Sequence, residues 1–219
     1  MRPEASAGGI STAGAFEKTG KEIMSASLVL LDLQQGILRS GAIKFDDDSR
    51  VDGVIEAASR LLEAARSADI PIIHVGVARP HRRGLFDDKR SANAAKSGKV
   101  PRDILPLAQG SAETEFVLAP LASEEVVYKS GVSGFQGTSL DALLRNAGVR
   151  DVVVAGAFTH MVVESTVRQG FDLGYRMHVV EEACCAPAME PHRASFAVGI
   201  PNFATVIDVD AAIKLLGQG

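Results

Sequence analysis

From Glu125 to Leu216 the chain alternates between two periodicities, and this alternation constrains its fold more than any single residue does. Glu125 to Lys129, Asp151 to Gly156, Arg176 to Glu181 and Ala204 to Val209 are short runs dense in β-formers, and they read as strands. The stretches that follow them, Thr138 to Asn146, Thr159 to Leu173, Pro191 to Val198 and Asp210 to Leu216, carry apolar residues at helical spacing. Thr138 or Ser139 stands where an N-cap is needed, and Gly148 and Gly174 stand where helices end in left-handed residues. A repeated βα order makes neighbouring strands parallel and requires helices on both faces of the sheet. The expectation is therefore an α/β protein: a three-layer α/β/α Rossmann-like fold with a mostly parallel sheet of about six strands.

The N-terminal half supplies the remaining elements. Leu28 to Leu33 is an apolar run almost without interruption, as a central strand covered on both faces demands. Val51 to Ala68 has helical period, and Pro71 to Val77 reads as the next strand. Residues 78–121 dissolve into Pro, Gly, Ser and charge, with a short turn expected at Ile104 to Ala108; so long an irregular segment usually shapes a site or an interface. Residues 1–25 lack a continuous apolar stretch and read as a flexible tail or an arm on a neighbouring subunit, leaving 26–219 as the folded domain.

Composition removes several function classes. With 219 residues and 46% hydrophobic content the chain can bury one sizeable core. A net charge of -4 and a pI near 5.7 argue against nucleic acid and against anionic membranes, and no apolar run approaches the length of a membrane span. The two cysteines, adjacent at Cys184 and Cys185, cannot build a disulfide framework, which points to a cytoplasmic protein.

In an open parallel sheet, chemistry gathers at the carboxyl ends of the strands. Asp32 closes the first strand, Lys129 closes the third, and Val152 to Arg168 runs from a strand through a tight turn into a helix. An acidic side chain at the end of an apolar central strand is costly to bury unless it has a partner. Asp46, Asp47 and Asp48 read instead as a solvated loop, and His74 and His81 are too few to make a zinc site, so no metal is expected.

Three motifs in the same order carry a family resemblance: Leu30-Leu31-Asp32-Leu33-Gln34; Val127-Tyr128-Lys129 followed by Gly134-Phe135-Gln136-Gly137-Thr138-Ser139-Leu140; and Gly156-Ala157-Phe158-Thr159 with Glu164-Ser165-Thr166-Val167-Arg168. The chain resembles the isochorismatase-like hydrolases, or cysteine hydrolase superfamily, from about Ser27 to Ile213. In thiol members of that family an aspartate, a lysine and a cysteine form a triad. Asp32 and Lys129 match the first two, and the ungapped third motif puts Val162 where the cysteine would stand.

Valine has no lone pair and no ionisable proton, so it cannot attack a carbonyl. Losing the nucleophile of a comparable triad costs on the order of 10⁶ in kcat. The resemblance therefore implies a hydrolase acting without a thiol, like the isochorismatases proper, with Asp32 as general acid or base and Lys129 as its electrostatic partner. A carboxylated vinyl ether such as isochorismate suits that chemistry. The alternatives are a catalytically silent relative with a binding or assembly role, and a C–N amidohydrolase whose cysteine has been replaced by Val162.

The resemblance also implies a cis peptide between Ala157 and Phe158, turning the Phe158 and Val162 amides towards one point as an oxyanion hole. Gln34, Arg79, Arg82, Phe135, Phe158 and His160 are expected to contact the substrate: Arg79 and Arg82 as partners of a carboxylate, Phe135 and Phe158 as apolar walls. The expected partners are a small anionic substrate and further copies of the chain, as a dimer or tetramer; no cofactor is expected.

Overall fold

The computed structural model describes residues 26–78 and 110–217. Arg79, His81 and Arg82, the turn expected at Ile104 to Ala108, and the N-terminal tail lie outside the described residues.

Strand β1 (Ala26–Leu31) is buried along its whole length and leads through a short helix α1 (Gln35–Leu38) to the long helix α2 (Asp48–Ser67). Then come β2 (Ile72–Val77), β3 (Glu125–Lys129), α3 (Leu140–Asn146), β4 (Asp151–Ala157), a π-type turn at Thr159–Val163 and α4 (Glu164–Asp172). The chain finishes with β5 (Arg176–Cys185), α5 (Met189–Ala194), β6 (Ala204–Ile207) and α6 (Val209–Leu216).

The strands form one six-stranded sheet in the order β3-β2-β1-β4-β5-β6, and every pairing in it is parallel. Chain order moves outward from β1 to β3, then returns beside β1 with β4 and moves outward again. This reversal makes a switch point between β1 and β4, where the two connecting chains leave in opposite directions and open a crevice.

Burial follows the order. The central strands β1 and β4 are buried throughout, whereas the edge strands β3 and β6 each leave residues exposed. One apolar layer packs α2 and α6 on the sheet through Val54, Leu61 and Leu216. The other packs α3 and α4 through Leu140, Leu144, Val163 and Val167. The three-layer architecture is thus the one the βα alternation dictates.

Three local features have physical causes. The acidic triplet is exposed, as expected, and it leads into a helix that Asp48 opens: Asp47 caps α2 by accepting the Ser49 N–H at 3.0 Å, and Asp46 accepts the Met189 N–H at 3.3 Å. Strand β5 extends past Glu181 because a register shift between Val154 and Gly156 lets Cys184 and Cys185 pair with Gly156 and Ala157. Strand β6 stops at Ile207 because Asp208 turns to cap α6, accepting the Ala211 N–H at 2.7 Å.

One glycine is required where the two halves of the sheet meet. A Cβ on Gly156 would lie 2.3 Å from the Leu31 carbonyl oxygen and 2.6 Å from Leu31 Cβ, so only glycine lets β4 approach the end of β1. That close approach brings the residue after β1, Asp32, beside the turn after β4.

Candidate functional site

Asp32 has a positive φ of 55°, a conformation that aspartate tolerates better than most residues, and its N–H donates to the Val75 carbonyl at 2.7 Å. The chain therefore turns sharply as β1 ends, and the side chain stays buried at 2% exposure. Lys129, the last residue of β3, is equally buried, and its Nζ donates to Asp32 Oδ2 at 2.8 Å and to the Gly131 carbonyl at 3.4 Å. The second carboxyl oxygen, Asp32 Oδ1, is buried and has no hydrogen-bond partner among the described residues.

That asymmetry has chemical content. A buried carboxyl oxygen without a donor is expensive, and is kept where a ligand, a water or a proton completes it. Burial pushes the Asp32 carboxyl above its ordinary range, outweighing the downward pull of the Lys129 charge and hydrogen bond. The group can therefore hold a proton beside an ammonium, which a general acid must do.

The turn after β4 differs from the expectation. No peptide among the described residues is cis; the chain turns at Phe158, whose φ of 59° and ψ of 57° are left-handed. The Val162 N–H donates to the Phe158 carbonyl at 2.8 Å, and Met161 N–H does so at 2.9 Å. With the peptide trans and the reversal made by φ, the Val162 amide is engaged inside the turn, so the two amides do not converge as an open oxyanion hole. Val162 itself is buried among Val29, Leu31 and Val154 in the α3 and α4 layer.

The other expected contacts divide. Phe158 packs against both apolar layers at the carboxyl edge, and His160 is half-buried in the turn. Phe135 is a core residue: it is 5% exposed and stacks on Tyr175 with ring centroids 5.8 Å apart, which corrects its assignment as a pocket wall. Gln34 is a clamp. Its Nε2 donates to the Val77 carbonyl at 3.1 Å and to the Thr114 carbonyl at 3.0 Å, while its Oε1 accepts the Val77 N–H at 2.8 Å. With both N–H groups and the carbonyl oxygen engaged, it ties the end of β2 to the returning segment.

Neither cysteine is a ready nucleophile. Both are buried within β5, and burial pushes Cys184 far up and Cys185 up to about 12, so neither forms a thiolate near neutrality. His74 is likewise accounted for, with its Nε2 2.8 Å from Glu124, which Arg66 also holds at 2.6 Å.

Other residues support the turn without announcing themselves in the sequence. Thr159 Oγ1 lies 2.8 Å from Nδ1 of the fully buried His192, whose Nε2 lies 2.5 Å from the Arg50 guanidinium. A guanidinium only donates, so towards Arg50 Nε2 accepts, which puts the proton of the neutral imidazole on Nδ1, facing Thr159; the Glu181 carboxylate lies farther from Nε2, at 3.5 Å. Thr166, one helical turn after Val162, donates to the Val162 carbonyl at 2.7 Å. Spacing of four makes the Thr166 contact foreseeable; nothing in the sequence brings His192, on α5, to the turn.

A doubly wound parallel sheet with a buried carboxyl and ammonium pair at its switch point defines a class of small-molecule α/β enzymes. Residues 26–211 match the Isochorismatase domain model, and the chain belongs to the isochorismatase family of hydrolases. It is 28% identical to the isochorismatase-family protein YecD of Escherichia coli O157:H7, over 88% of this chain and 96% of that one. It is 30% identical to the ureidoacrylate amidohydrolase RutB of Acinetobacter baylyi, over 77% of this chain and 74% of that one. The fold is also that of a cysteine hydrolase from Pseudomonas syringae pv. phaseolicola, with a TM-score of 0.74, 23% identity, and 88% and 92% of the two chains covered.

Proposed function

We propose that this hydrolase works without a covalent intermediate, Asp32 serving as general acid and then base and Lys129 as its electrostatic partner, on a carboxylated vinyl ether such as isochorismate. The observation that carries this reading is the unpartnered, buried Oδ1 of a carboxyl whose Oδ2 is held by Lys129. Protonated Asp32 gives its proton to the terminal enol carbon, leaving an oxocarbenium ion at the ether carbon. Water adds there and returns a proton to Asp32. The hemiketal then collapses to a ketone and an alcohol, so one water is consumed and the carboxyl is restored. Nothing in this sequence asks for a nucleophilic side chain, in keeping with Val162.

The likeness to a ureidoacrylate amidohydrolase favours a second reading, hydrolysis of a C–N bond with Asp32 activating water directly. Turnover of isochorismate and of ureidoacrylate by the parent protein separates the two. Under either reading Asp32→Asn lowers kcat by roughly 10²–10⁴-fold, since the proposed proton-transfer group is gone. An Asp32→Asn variant as active as the parent refutes both. If neither substrate turns over and Val162→Cys opens strong amide hydrolysis, the reading becomes that of an amidohydrolase with its nucleophile replaced.

A further inference from the structure

We infer that Thr166 is a positioning residue for the Asp32–Lys129 pair, fastening the turn that carries Val162 to the loop that follows Lys129. The inference rests on the functional reading above only in what the pair does; the juxtaposition stands on the geometry. The Thr166 hydroxyl is fully buried, donates its one proton to the Val162 carbonyl at 2.7 Å, and accepts the Gly134 N–H at 2.9 Å. A hydroxyl is the smallest group that can do both, and both partners lose their hydrogen bond without it.

Gly134 is the point on which the loop turns. Its carbonyl accepts the Thr138 hydroxyl at 2.6 Å, so two threonine side chains hold the two peptide groups of one residue. A Cβ there would meet Leu31 Cδ2 at 3.2 Å, Leu140 Cδ2 at 3.3 Å and Thr166 Cγ2 at 3.4 Å. The loop is thereby pressed onto Leu31, the residue before Asp32. Three residues earlier in the same loop, the Gly131 carbonyl accepts Lys129 Nζ at 3.4 Å. Thr166 thus bears on both members of the pair through this loop: Gly134, which it holds, lies against Leu31, the residue before Asp32, and the same loop carries the Gly131 carbonyl that accepts the Lys129 ammonium. Burial holds the Asp32 carboxyl above its ordinary range, with Lys129 the charged group facing it among the described residues.

The test is a carboxyl ¹³C NMR titration of the intact protein, the Asp32 signal being assigned by its loss in Asp32→Asn. Thr166→Val is isosteric and removes only the hydroxyl. It is expected to lower the Asp32 midpoint by about one pH unit, tenfold in proton affinity, as water reaches the carboxyl. Thr166→Ser, which restores both hydrogen bonds, is expected to titrate like the parent. A purely structural threonine would lower the unfolding free energy without moving Asp32, so a folded Thr166→Val with the parent midpoint overturns the inference. Should Thr166→Val fail to fold, Thr138→Val, which frees the Gly134 carbonyl and the Leu140 N–H that the same hydroxyl accepts at 3.3 Å, takes its place under the same expectation and the same refutation. No substrate is needed, so failure here is distinguishable from failure of the catalytic reading, which Asp32→Asn tests.

Discussion

His192 gives the protein an acid-sensitive joint whose size follows from the structure. The imidazole is fully buried, its Nε2 faces the Arg50 guanidinium closely and the Glu181 carboxylate at 3.5 Å, and burial lowers its pKa from 6.5 to about 4, with the Arg50, Arg193 and His160 charges adding to the effect. The folded state therefore holds His192 neutral where the unfolded chain would protonate it. The unfolded state binds more protons between the two pKa values, so stability is fully present above about pH 6.5, falls as pH drops towards 4, and levels off below. At about 1.36 kcal/mol per unit, the shift corresponds to about 3 kcal/mol, with a limiting slope of one proton. Urea unfolding at a series of pH values from 7.5 to about 4 reads that slope. His192→Asn keeps a donor towards Thr159 but does not titrate, and its unfolding free energy should fall less steeply with acid by close to one proton. His74, also lowered by burial, contributes to both proteins with the same sign and cancels in the difference. Coincident slopes for parent and variant between pH 6.5 and 4.5 would refute the assignment of His192 as an obligatorily neutral group.

Two further outcomes follow from the packing of the site. Lys129→Met leaves Asp32 buried without its ammonium, which should cost roughly 3–5 kcal/mol near neutral pH. Because the orphaned carboxyl can take up a proton, the cost should shrink as pH is lowered, and Asp32→Leu in the same chain should recover much of it; urea unfolding of the single and double variants checks both points. Gly156→Ala would set a Cβ 2.3 Å from the Leu31 carbonyl oxygen and force β4 away from β1, for a loss of roughly 2–3 kcal/mol in unfolding free energy and a displaced Asp32. An alanine variant as stable as the parent would show that the sheet yields there.

What the sequence determined by itself is the part of the molecule written in periodicity. Alternating β and α periods, an apolar run as unbroken as Leu28–Leu31, and glycines at helix ends such as Gly148 and Gly174, both with positive φ, require a parallel sheet between helix layers. The same local grammar placed Asp32 and Lys129 at strand ends, and the resemblance of the third motif implied that Val162 stands at the position of the cysteine in thiol members of the family. Side-chain identity could not say which neighbours these groups meet. Gln34 and Phe135 stand in motif positions, yet one is engaged by main-chain groups and the other lies in the core beside Tyr175, because the return of residues 112–116 onto β2 and the seating of α4 on the sheet decide their surroundings. The manner of the turn at Phe158, made by φ with the peptide trans, depends on packing from both layers at once. His192 came to the turn only through the winding of the chain, since contacts between residues 33 apart leave no periodic trace. The balance at Asp32 is likewise tertiary: the neighbouring ammonium pulls the carboxyl pKa down, and the depth to which the fold buries the pair outweighs that pull.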